Sequence, residues 1–239
     1  MELMPQSPSS VGVYNTCPKQ YEAKYITKEV KFVPNKATER GSRLHNLLEL
    51  RVKENVALPH ELKHFENFIN KVTSMSGEVK TEFTLAISRE FKPCDYKDRY
   101  IGGKIDLSII NHDKRAAMVF DYKTGKVKNS LDFQFQLLVY ATMVLINYPH
   151  INKVRTYYVF LDHCELSPTG KDGKPGMVYT REDLDVMQAE IAHQIERIRY
   201  ATEKNEWIPN PGGLCRANKP HVNGGMPWCQ VKSCPFWNK

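Results

Sequence analysis

Apolar positions along the chain change period several times, and each change predicts a different kind of element. After a Ser-Pro-Ser-Ser turn, Tyr14, Cys17, Tyr21 and Tyr25 recur at intervals of three and four, the spacing of one helix face, which predicts one or two short helices over residues 8–30. Leu44, Leu47, Leu48 and Leu50 mark an amphipathic helix over 40–53, and Leu62, Phe65, Phe68, Ile69 and Val72 mark another after Pro59. From residue 78 to 122 the pattern turns to short β-rich runs, VKTEFTLAI, RYIGGKIDLSII and AAMVFDYKTG, with a hairpin turn at 111–115 between the last two. Ser130 is placed to cap a helix over 131–148 that Pro149 stops, and the run KVRTYYVFLDH then predicts a strand. A Gly/Pro-rich excursion at 167–176 precedes Leu184, Met187, Ile191, Ile195 and Ile198, a long helix over 181–204. The last stretch, from Trp207 onward, is too rich in Pro, Gly and Asn for regular structure. Something else must hold it.

Composition narrows the class. A chain of 239 residues with 41% hydrophobic residues can bury a sizeable core, and no repeat or long linker divides it. The expectation is a single domain over 1–239, with a helical segment at 1–39, a core at 40–204 and a cysteine-rich tail at 205–239 packing on the first segment. The longest apolar stretch, at 137–148, is interrupted by Thr142 and Asn147 and falls short of the ~20 residues that span a bilayer. No membrane partner is expected. MELMPQSPSS has neither a basic cluster nor an apolar run, so a cytoplasmic location is expected, where six cysteines favour free thiols or metal ligation over disulfides. The net charge of +7 suits an anionic partner.

The chemistry concentrates in the predicted hairpin. Asp106 and Asp121 lie almost equidistant from a turn near residue 113, so they are cross-strand neighbours, and Lys123 shares the face of Asp121 because side chains two apart on a strand point the same way. Two carboxylates and an amine then occupy one small volume. Close carboxylates repel unless a hard divalent cation such as Mg²⁺ or Mn²⁺ joins them, and such an ion polarises a phosphodiester and acidifies a water. The lysine supplies charge stabilisation or orients that water.

The surrounding residues carry a family likeness. Gly102-Gly103-Lys104-Ile105-Asp106 and Val119-Phe120-Asp121-Tyr122-Lys123-Thr124-Gly125 resemble the G-x-I-D and D-Y-K-T-G motifs of the RecB-like branch of the PD-(D/E)XK nuclease superfamily. Upstream, the stretch from Gly41 to His45 resembles the G-x-x-x-H helix of that branch, and downstream Gln136 and Tyr140 resemble its Q-x-x-x-Y motif, with both groups on one helix face. Four motifs in the family's order span residues 40–140. The resemblance implies an α/β restriction-endonuclease-like core, a small mixed central sheet flanked by helices. It implies catalytic roles for Asp106, Asp121 and Lys123, and metal ligation by His45, Asp106, Asp121 and the backbone carbonyl of Tyr122. Gln136 and Tyr140 become DNA-binding or site-supporting residues, with Glu82 at a commonly acidic position on the preceding strand.

A second likeness concerns Cys17, Cys215, Cys229 and Cys234. Cys17-Pro18-Lys19-Gln20-Tyr21 is similar to the C-P-x-x-Y context of RecB-like nucleases in which one N-terminal cysteine joins three C-terminal ones around a 4Fe-4S cluster. Here thirteen residues separate Cys215 from Cys229 and four separate Cys229 from Cys234, which departs from that pattern. Zinc bound by Cys215, His221, Cys229 and Cys234, or no metal at all, stay open beside the cluster. The function implied is a metal-dependent DNA nuclease acting from a free end, an exonuclease of recombination, repair, replication or CRISPR adaptation, working alone or with a partner protein. A non-catalytic DNA-binding module of the same fold and an RNA nuclease are the alternatives.

Overall fold

The computed structural model of the chain describes residues 3–31, 33–125, 134–212, 215 and 229–237. The expected cap at Ser130 and the zinc ligand His221 lie outside these. Two compact units emerge, one made of Arg40–Ile191 and the other of Met1–Glu39 with Ala192–Lys239.

In the larger unit the sheet follows the predicted β-rich runs. Strands β1 (Glu78–Ile87), β2 (Ile101–Asn111), β3 (Ala116–Lys123), β4 (Lys153–Phe160) and β5 (Glu165–Ser167) lie in that order, and β6 (Met177–Thr180) also pairs with β4. The β3–β4 pairing is parallel and all others are antiparallel, so the sheet is mixed. A parallel pair needs a crossover, and a helix over Gln134–Asn147 supplies it. The predicted strand at 153–163 ends at Phe160. There the Leu161 N–H reaches the Lys123 carbonyl at 2.8 Å, and Cys164 takes a left-handed φ of 52° that turns the chain back into β5. The Gly/Pro-rich excursion is thus bordered by two short strands that share the edge of β4.

Numbered along the chain, the helices are α1 (Pro8–Thr16), α2 (Pro18–Tyr21), α3 (Lys36–Glu54), α4 (Glu66–Thr73), α5 (Gln134–Asn147) and α6 (Leu184–Lys204). Leu44 and Leu48 of α3 are fully buried with Phe65, Ile69 and Val72 against Leu107, Ile109, Phe120 and Tyr122 of the sheet. Each such leucine is worth about 1.5–3 kcal/mol of burial, enough to fix the rotation of α3. On the opposite face Leu137 of α5 packs on Tyr158 and Phe160 of β4. Alternation along β3 therefore sends Phe120 and Tyr122 toward α3 and α4, and Asp121 and Lys123 toward the α5 side.

In the smaller unit, Ser7 caps α1 reciprocally with Ser10, and Pro18 starts α2 where its missing N–H costs nothing. A π-helical turn over Glu22–Ile26 follows. Tyr21 is fully buried, stacked on Trp207 at 5.7 Å and bonded to Gln6, and burial raises its phenol to about 12.

Candidate active site

Three carboxylates form a row across three adjacent strands. The β1–β2 register pairs Thr81 with Leu107 and Phe83 with Ile105, which sets Glu82 opposite Asp106. The β2–β3 register, Ser108 with Val119 and Leu107 with Phe120, runs on to set Asp106 opposite Asp121. Both ladders are interrupted at this row. Glu82 has a left-handed φ of 49°, a conformation costly for a residue with a Cβ, and the Tyr122 N–H donates to Asp106 Oδ2 at 2.6 Å. The side chain of Asp106 thus takes a backbone donor.

His45 of α3 approaches from the helix side. Its Nδ1 lies 3.3 Å from Asp106 Oδ1 and 3.8 Å from Glu82 Oε1, and its ring meets Tyr122 edge-on at 5.6 Å. Ligand atoms of His45, Glu82 and Asp106 all come within 4.8 Å of one another. This set of one imidazole and two carboxylates suits a hard divalent cation, and Glu82 Oε1 is buried without a hydrogen-bond partner. Burial works against a charged His45, but the hydrogen bond to Asp106 and the charges of Asp106, Asp121 and Glu82 outweigh it and raise its pKa. Burial likewise raises the Asp121 carboxyl, opposed by Lys123 and reinforced by Asp106.

The far end of the row is organised by one amide. Gln136 Nε2 donates to Asp121 Oδ1 at 2.9 Å and to the Tyr140 hydroxyl at 2.8 Å, while its Oε1 accepts from Lys123 Nζ at 3.0 Å. Lys123 also pairs with Asp121 Oδ2 at 2.5 Å and lies 5.1 Å from the centre of the Tyr158 ring. Tyr140 in turn donates to the Lys104 carbonyl at 2.9 Å, tying α5 to β2. Gly103 permits this contact, because a Cβ there would lie 2.8 Å from the Tyr140 ring. Gly103→Ala is therefore expected to push Tyr140 away and lower nuclease turnover about ten-fold through misplaced Gln136 and Lys123. Unchanged turnover would show that the site accommodates the added methyl group without moving Tyr140.

The family model for the PD-(D/E)XK nuclease superfamily matches residues 5–238. The chain belongs to this superfamily. This makes it a hydrolase of the metal-dependent nuclease class. Among solved structures, it is similar to SSO0001, with 17% identity and a TM-score of 0.50 over 99% of this chain and 89% of that one. A protein of Eubacterium rectale provisionally called an exonuclease aligns with 13% identity and a TM-score of 0.49, over 90% of this chain and 91% of that one. No curated protein matches the sequence. No helix among the described residues is long and apolar enough to cross a membrane.

Within this nuclease the motif residues fall into two groups. His45 and Asp106 join Glu82, while Asp121 and Lys123 join Gln136 and Tyr140. A Cβ on Gly41 of the first motif would lie 3.6 Å from the Thr124 hydroxyl of the last, and Asp162 bonds both Arg40 and the Gly125 N–H. Asp162 was not singled out by sequence, since nothing near it repeats a motif. Its short tie from the end of β4 holds the start of α3 and the end of the β3 motif together.

The cysteine set lies in the smaller unit. Cys17 sits between α1 and α2 and accepts the Asn210 N–H at 3.4 Å. Cys229 and Cys234 are buried with Ala23, Val30 and Val231, against which Trp237 packs. Burial pushes the Cys229 thiol up, a hydrogen bond with the Val231 backbone opposes this, and the neighbouring Cys215, Cys234 and Cys17 thiols add to the rise. Among the described residues, no three of these sulfurs come within 4.8 Å of one another.

Proposed function

We propose that the protein is a DNA exonuclease that hydrolyses phosphodiester bonds with Mg²⁺ or Mn²⁺ held by His45, Glu82 and Asp106. The observation that carries this reading is the row of Glu82, Asp106 and Asp121, with an ammonium fixed at one end and an imidazole at the other. A divalent cation held there would supply polarisation of the phosphodiester and acidification of a water. His45, Glu82 and Asp106 would hold the ion, with His45 in its neutral form. Asp121, whose oxygens face Lys123 and Gln136, aligns the ammonium and contributes charge to the ion-binding row. Lys123 orients the water and stabilises negative charge that grows on the phosphorus oxygens. Gln136 and Tyr140 act by positioning, since their polar groups are engaged with Asp121, Lys123 and the β2 backbone. The Tyr122 carbonyl, next to Asp121, remains a further candidate donor.

The substrate and mode are tested together. Linear end-labelled DNA is expected to be degraded in the presence of Mn²⁺, while covalently closed circles of the same sequence are spared. Rapid linearisation of circles would identify an endonuclease, and preferential loss of RNA would replace the DNA assignment. Binding of DNA to the +7 chain should weaken steeply between low and physiological salt, as released counterions require.

For the smaller unit, the reading is a 4Fe-4S cluster on Cys17, Cys215, Cys229 and Cys234 with a structural role. It is supported by the burial of Cys229 and Cys234 in one cluster and by the Cys-Pro start of α2, where Cys17 stands at a helix junction.

A further inference from the structure

The metal-site reading leaves one cation beside the carboxylate row without a role. Lys104 stands two residues before Asp106 on β2 and pairs across the strands with Thr84, diagonal to Glu82. Its ammonium forms an ion pair with Glu82 Oε2. Glu82 is nearly buried, at 9% side-chain exposure, whereas Lys104 is more than half exposed. An ordinary surface ion pair would be worth little, because two mobile chains must be ordered to make it. This one is different on two counts. The β2 backbone at Lys104 is fixed by the Tyr140 hydroxyl on its carbonyl and by the ring of Tyr140 against Gly103. The partner backbone is held in a left-handed conformation at Glu82, which directs its side chain into the row.

The two oxygens of Glu82 are therefore used unequally. Oε2 is taken by Lys104, and Oε1 is buried without a hydrogen bond, 3.8 Å from His45 Nδ1. We propose that Lys104 is a positioning residue of the metal site, holding Glu82 Oε2 so that Oε1 is the oxygen offered to the ion beside His45 and Asp106. Lys104 then acts on the metal through Glu82, not on the substrate. Without it the carboxylate is free to rotate both oxygens toward solvent, and the strained backbone at Glu82 no longer delivers a defined ligand.

The inference rests on the metal-site reading, and one experiment separates the two. Mn²⁺ affinity of the full chain is measured by the electron paramagnetic resonance signal of free Mn²⁺ for the wild type, K104M, K104R, E82Q and the K104M/E82Q double variant, without DNA. Losing an outer partner of a ligand typically weakens metal binding roughly 10-fold to 100-fold, and K104M is expected to fall in that range. K104R should recover most of the loss. In the E82Q background K104M should have no further effect, since the carboxylate it positions is gone. Wild-type-like or tighter binding by K104M overturns the proposal while the metal site stands. An equal loss in both backgrounds also overturns it, by showing a general structural effect. A wild type that binds no Mn²⁺ overturns the metal-site reading and this inference with it.

Discussion

Lys123→Ala is expected to lower cleavage by roughly 100-fold to 1,000-fold, the loss seen when one preorganised charge-stabilising donor is removed from a site. The ammonium is only 27% exposed on its side chain, gripped by Asp121 and Gln136, so little reorganisation is needed before it meets developing charge. Its removal should leave the fold in place, because the Lys123 backbone still pairs with β4 and accepts the Leu161 N–H. Turnover should drop with little change in substrate affinity, since the interaction strengthens in the transition state. Asp106→Asn and His45→Ala should instead weaken metal binding, and high Mn²⁺ should partly restore His45→Ala. Near-normal turnover by Lys123→Ala would reject the role given to the ammonium.

Cys17→Ser is expected to remove the colour of the protein as completely as Cys229→Ser does, although the two positions are more than two hundred residues apart in sequence. Anaerobically purified wild type should be brown and contain about four irons and four sulfides per chain. Both variants should be colourless, and limited proteolysis should cut them faster within 205–239, because a cluster joining the two ends constrains the segment between its ligands. A colourless protein with stoichiometric zinc and a dispensable Cys17 would select the zinc site with His221. A colourless protein free of metal would make the cysteines packing residues.

Much of the larger unit is legible without coordinates because its signals are local. The facing of Asp106 and Asp121 needs only a hairpin turn at 111–115, and the register observed from Leu107–Phe120 to Asn111–Ala116 keeps that symmetry. Lys123 beside Asp121 follows from the two-residue period of a strand, and Gln136 beside Tyr140 from the turn of a helix. The observed end of α5 at Asn147 likewise follows from Pro149, and α6 ends at Lys204, just before Asn205 takes a left-handed φ of 52°. By contrast, β5 and β6 are three and four residues long, too short to display a period, and exist because β4 offers them an edge.

Sequence by itself picked out the candidate side chains and determined the pairings that one hairpin or one helix turn enforces. Tertiary structure alone decided where those pieces meet. Glu82 entered the row through the β1–β2 register and a left-handed backbone, neither of which its neighbours in sequence encode. His45 reached Asp106 because Leu44 and Leu48 bury one face of α3, turning the intervening face toward the break in the ladder. Gln136 became the bridge between Asp121 and Lys123 only when the crossover laid α5 over β3 and β4. Periodicity reports which face of an element is apolar, but distances between elements depend on packing across the whole core, where each contact joins residues far apart in the chain.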